Sequence, residues 1–173
     1  MLRGPIADGI LRSVSHPSLG LPPRSLQSGY PDGAARLRAE RGRLATRALE
    51  VAVDADPTFR DRYDEAGLRN LLQDTEVFVD RLALCVAGND PHWLKEFADH
   101  TATVYRRRGV AMDDMVRIME GLRSGARAVL SDAETVSAGA AIDEAITVFR
   151  WYRRLAGDAR KRNPILAALY KGG

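Results

Sequence analysis

His92, Glu96 and His100 stand four residues apart, the spacing that lines side chains along one edge of a helix. Imidazole and carboxylate are both metal ligands, so this edge is the first place to look for metal chemistry. It falls short of a centre. A carboxylate-bridged two-iron bundle takes Glu-x-x-His from two helices. Here Asp99 stands third after Glu96, and no second copy exists. The edge reads as a solvated His92 and Glu96, with His100 at a boundary beside Phe97 and Val104. A haem of the globin kind needs a proximal histidine before the penultimate helix, and residues 106–112 contain none. Cys85 falls on an apolar stripe, where a thiol behaves as a small hydrophobe; a tetrapyrrole thioether there would be unsupported by the rest of the chain.

Other chemistries find less material. No Gly-x-Ser-x-Gly elbow and no phosphate-cradling glycine loop is present. Asp113 and Asp114 resemble a carboxylate pair, but adjacent helical side chains diverge, and acids suit a helix start. Met112, Met115 and Met119 form a stripe that serves as core, with a plastic binding surface as the alternative. Arg106, Arg107 and Arg108 sit in a last helical turn, where cations suit the dipole. They are also a candidate docking point for an acidic partner. The expectation is therefore a protein that is not an enzyme, with no catalytic, cofactor-binding or metal-ligating residue assigned and no cofactor expected.

The elements that would position these groups are helices. Leu68, Leu71, Thr75, Phe78, Leu82 and Cys85 alternate spacings of three and four, the pattern of a core-facing helix over 66–87. The same reading gives helices at 34–53, 57–63, 92–107, 113–130 and 138–162, with 131–137 as a connection and a further turn at 165–170. Asp56-Pro57 and Asp90-Pro91 are start signals. Gly67 marks a bend or weak point, and Gly109 a helix stop. No stretch alternates as a strand does. The fold class is all-α, a single bundle of five to six helices over 33–173, with a globin-like arrangement as one option. Residues 1–32 hold five of the eight prolines, with glycines and serines between. They read as a disordered tail, with an organellar transit peptide as the minor alternative.

Charge is uneven along the chain. Residues 1–47 carry a balance of +5, residues 48–149 of −8, and residues 150–173 of +6, within a net +3. Basic ends could steer towards an anionic partner or fold back on the acidic centre. No recognition-helix arrangement or aromatic-basic platform points to nucleic acid. No apolar run approaches the ~20 residues of a membrane span, and a cytoplasmic location is expected. One cysteine rules out an internal disulfide framework.

The last long helix carries two apolar stripes. Ile142, Ala145, Phe149 and Tyr152 form one. Val148, Trp151 and Leu155 form another, offset around the helix. Two apolar sides imply two partners: the core, and either the segment 165–170 or a second subunit. Val148, Trp151 and Leu155, with Arg106, Arg107 and Arg108, are the candidate interaction residues, and a protein partner or homodimer is expected.

Trp93-Leu94-Lys95-Glu96-Phe97-Ala98, then Tyr105-Arg106-Arg107-Arg108-Gly109-Val110, then Asp113-Asp114-Met115-Val116 and Gly121-Leu122-Arg123 together resemble a known grammar. It is that of the N-terminal helical regulatory domains of bacterial stressosome co-antagonists of the RsbR type, and of PucR-type transcription regulators. The likeness covers residues 68–130. It implies a non-enzymatic, often dimeric domain, globin-like without haem and usually fused to an output domain. None follows before Gly173, so the expectation is an adaptor acting alone or a regulatory module whose partner is another chain. The leading expectation is a non-catalytic regulatory or interaction module in bacterial signalling or assembly. The alternatives are a bundle holding a tetrapyrrole or metal, and a structural component anchored by its basic termini.

Overall fold

The apolar spacing becomes seven α-helices, and no strand, among residues 29–162, which the computed structural model describes. They are α1 (Pro31–Ala39), α2 (Arg41–Ala55), α3 (Phe59–Arg62), α4 (Glu65–Gly88), α5 (His92–Arg107), α6 (Met112–Ala126) and α7 (Asp132–Arg162). The all-α bundle is as expected. None of the described helices is long and apolar enough to cross a membrane.

At the centre, Phe78 of α4 meets Phe97 of α5 edge-on at 4.8 Å and Phe149 of α7 at 6.0 Å between ring centroids. Leu82, Met115, Met119, Leu122 and Ile142 are fully buried with Phe78 and Phe149, so the methionine stripe is core. Ion pairs outside the core fix helix directions. Arg123 reaches Asp143 at 2.5 Å and Arg153 reaches Asp113 at 2.6 Å, which sets α6 antiparallel to α7. α2 runs antiparallel to α6, with Ala48 beside Gly121 and Leu44 beside Gly125.

Several boundaries depart from the sequence reading. The helix expected at 34–53 is broken at Glu40, which has φ −99° and ψ 11°. The break lets Leu37 of α1 enter the core against α4 while α2 turns to pack on α6. Arg41, just past it, holds Glu76 and Asp80 of α4 at 3.3 Å each. The first helix also begins at Pro31, so the tail reading, drawn to residue 32, extends into it; residues 1–28 lie outside those described.

The connection expected at 131–137 is instead the first turns of α7. Ser131 accepts the Thr135 N–H on its carbonyl at 2.8 Å, and its own N–H donates to Glu134 Oε2 at 2.8 Å. The Glu134 carboxylate thus reaches back to the helix entrance, as in half of a capping box. Arg36 of α1 clamps the same carboxylate at 2.5 Å. α6 correspondingly stops at Ala126 rather than at residue 130. Gly67 is no weak point: its N–H is capped by Asp64 Oδ1 at 2.7 Å, and α4 runs straight through. Gly109 ends α5 at φ +75°, a conformation that glycine alone adopts without strain. The turn expected at 165–170 lies outside the described residues.

Candidate functional site

α7 has 31 residues, about 46 Å at 1.5 Å per residue, about twice the length of α5 and α6 beside it. Its inner stripe is buried through Ala138, Ala141, Ile142, Ala145 and Phe149. The outer stripe emerges in part, since Val148 packs against the core. Trp151 is 47% exposed and Leu155 39%, with Val148 half-buried one turn earlier. Trp151 is held edge-on to Tyr152 at 4.9 Å. Tyr152 is anchored in turn, its hydroxyl donating to Asp99 of α5 at 3.2 Å. Partial burial raises the Tyr152 pKa, and the charge of Asp99 adds to this, against the pull of Arg106. Exposed Arg150 and Arg154 flank the stripe.

The arginine triplet does not act as one cluster. Consecutive helical residues point about 100° apart, and the three part accordingly. Arg106 is half-buried on the Tyr152 side and borders the α7 stripe. Arg107 is exposed. Arg108 turns to α4, with Nη1 3.6 Å from Asp74 Oδ2. So Arg106 lies near Tyr152 of α7, while Arg108 goes to α4.

The chemistry-bearing residues fall as follows. His92 and Glu96 are exposed and touch at 3.4 Å, and His100 is exposed rather than at a boundary. No group of three or more His, Cys, Asp or Glu among the described residues is arranged to hold a metal ion. Cys85 is buried, and Leu94 N–H donates to its Sγ at 3.3 Å. Burial pushes the thiol up to about 11, which leaves it protonated and a poor nucleophile at neutral pH.

Sequence reasoning missed the role of Asp114. It diverges from Asp113, as adjacency requires, but it is no solvated helix-start acid. Its side chain is 1% exposed and takes four donors. Arg62 grips it in a fork, Nε to Oδ2 at 2.9 Å and Nη2 to Oδ1 at 2.6 Å. Arg117 Nη1 donates to Oδ1 at 2.8 Å and the Tyr63 hydroxyl to Oδ2 at 2.7 Å. Arg62 also reaches Asp56 Oδ2 at 2.9 Å, and Ala111 N–H donates to the Tyr63 oxygen at 3.2 Å. The network bolts the α2–α3–α4 corner to the start of α6. Burial above all, with the Asp114 contact, pushes the Tyr63 hydroxyl up to about 12.

Acid should weaken this corner, and the entrance of α7, in a defined window. Hydrogen bonds from Thr58, then Arg62, hold Asp56 down from 3.8 to about 2. The Ser131 N–H, opposed by partial burial and helped by Arg36, lowers Glu134. Both carboxyls are more acidic folded than unfolded. The stability they confer is present above the unfolded value near 4 and is withdrawn as pH falls towards 2. Urea midpoints should be flat from about pH 7 to about pH 5 and fall below about pH 4. Asp56→Asn should flatten part of that slope. A midpoint in the native chain that falls no further than in the variant would contradict the assignment.

Comparison with known proteins finds no match: no family model, no curated protein and no solved structure is significantly similar to the chain.

Proposed function

We propose that this chain is a non-catalytic helical interaction module, and that the outer stripe of α7 is its contact surface. One observation carries the reading. A helix whose inner face fills the core presents a tryptophan and a leucine to solvent on its outer face, rimmed by arginines. Trp is favoured at interfaces because it offers a large rigid area with a polar handle. Withdrawing roughly 100 Å² of Trp151 from water would contribute about 2.5 kcal/mol at about 25 cal/mol per Å².

The occupant proposed is a second copy of the chain. Val148, Trp151 and Leu155 repeat at three and four residues, the spacing of a two-helix seam, so one stripe can pack against its own copy. The likeness to stressosome and PucR-type regulatory domains, often dimeric and globin-like without haem, supports a regulatory role by resemblance. A place in bacterial cytoplasmic signalling rests on that resemblance alone.

Trp93→Phe leaves Trp151 as the single tryptophan of the chain, which has two. Its emission should shift to shorter wavelength as concentration rises from about 1 to about 100 μM, and Leu155→Asp should abolish the shift. Emission that stays at the position of a solvated indole throughout would overturn the proposal.

A further inference from the structure

The outer side of the α4–α5 pair carries an exposed apolar strip, away from α7. Leu94 N–H meets Cys85 Sγ at 3.3 Å and Phe97 meets Phe78 at 4.8 Å, so the two helices run antiparallel. Lys95 and Asp99 of α5 turn to Glu144 and Tyr152 of α7. Phe97 turns to α4, where the Arg81 guanidinium lies 5.3 Å over its ring. Residues four apart share a helix face. Val77 therefore lies in line with Arg81, and Trp93 in line with Phe97. Val77 is 38% exposed and Trp93 44%. Leu84, three residues past Arg81, is half-buried.

The chain enters the described fold at one end of this strip. Tyr30 N–H donates to the Val86 carbonyl at 2.9 Å. A Cβ at Gly29 would fall 1.7 Å from the Ala87 carbonyl oxygen and 3.2 Å from Gly88 Cα. Gly88 continues the row of Val77, Arg81 and Leu84 by one more turn. Residues 1–28, outside those described, therefore leave from the last turn of α4, beside the short connection that leads to Trp93.

Their composition suits the strip. Leu19, Leu21 and Leu26 stand in the stretch 17–26 with Pro17, Pro22 and Pro23. Proline fixes φ and reduces the entropy lost on docking, which is why proline-rich segments are taken up by aromatic surfaces. Leu21 precedes Gly29 by eight residues, about 27 Å of extended chain. Val77 lies only about 15 Å along the α4 axis from Ala87, so the stretch spans the strip with slack. Charge favours the same contact. Residues 1–28 hold three arginines and one aspartate, and residues 73–96 hold five acids and two bases.

We propose that residues 17–26 fold back along this strip, the leucines and Pro22-Pro23 covering Trp93 and Val77. A tether this short holds the segment at a local concentration on the order of mM. A contact with a dissociation constant of about 1 mM between separate molecules is then formed in about half of the chains or more. The tether is what favours the chain's own segment over a free partner.

Trp151→Phe leaves Trp93 as the single tryptophan of the full chain and serves as the parent for the test. Acrylamide quenching of Trp93 reads the cover directly. Adding Leu19→Asp with Leu21→Asp should raise the quenching constant about twofold, the change expected when a half-formed cover is lost, and should move the emission to longer wavelength. Val77→Asp, on the strip itself, should act in the same direction, and Leu11→Asp, outside the stretch, should change neither reading. Each effect should be the same at about 1 and about 100 μM, because a contact within one chain does not depend on concentration. Circular dichroism checks helical content; were Val77→Asp to lose it, the Leu19 and Leu21 pair decides, since both lie outside the described helices. The proposal is overturned if that pair leaves Trp93 quenched as in the parent, or if protection of Trp93 grows with protein concentration, which would make the cover a second copy.

Discussion

Asp114→Ala is expected to cost the fold about 3 kcal/mol, read as a lower urea midpoint at unchanged slope. Asp114 is buried between Arg62, Arg117 and Tyr63. Removing it leaves Arg62 and Arg117 sharing Asp56 as their carboxylate and the Tyr63 hydroxyl without its acceptor, around a hole. Breaking one side of a buried pair costs more than the pair contributes, because the remaining charge stays desolvated. Both arginines are about one-third exposed and can swing towards water, which keeps the loss at the lower end of the range for buried pairs. Asp113→Ala is the matched control. Asp113 is half exposed, and its partner Arg153 is too, so the loss there should stay below about 1 kcal/mol. Equal losses at the two positions would refute the assignment of the network.

Gly121→Val is expected to be as damaging, at about 3 kcal/mol. A Cβ at Gly121 would lie 2.5 Å from the Ala48 carbonyl oxygen and 2.8 Å from its Cα. These are backbone atoms of α2, which cannot rotate aside, so the two helices must separate. Gly121→Ala already meets that clash, which outweighs the gain of about 1 kcal/mol in helix propensity. Two neighbours should respond differently. At Gly125 the nearest atom is the mobile Leu44 Cδ2 at 3.2 Å, and at Gly139 nothing stands within 4 Å. Gly139→Ala should therefore stabilise the chain by about 0.5–1 kcal/mol. Thermal or urea unfolding of the set would show this order, and a tolerated Gly121→Val would disprove the tight α2–α6 crossing.

The parts of the architecture that were legible are those whose cause is local. Leu71, Thr75, Phe78, Leu82 and Cys85 recur with helical period and are all buried in α4. The outer stripe of α7 was readable for the same reason, since Trp151 and Leu155 sit about 100° around the helix from Phe149 and Tyr152. The helix break at Glu40 was not. Gly42, two residues on, is itself helical, and the cause is non-local: α1 packs on α4, while α2 turns to pack on α6 as well as on α4. The Ser131–Glu134 start of α7 did carry a local sign, a serine followed three residues later by glutamate. It was obscured because Val136, at the start of the second turn, is exposed and breaks the apolar period. Asp114 could not have been found from spacing. Its partners Arg62 and Tyr63 lie 52 and 51 residues upstream, and only the packed corner brings them together. The arginine triplet shows the converse: residues adjacent in sequence serve separate faces once the helix turns them apart.

Sedimentation velocity of the full chain from about 5 to about 200 μM, beside Trp151→Asp, tests the interaction surface most directly. A dimer is expected for the native chain and a monomer of unchanged helical content for the variant. A native chain that stays monomeric across that range, or a dimer indifferent to Trp151→Asp, would contradict it.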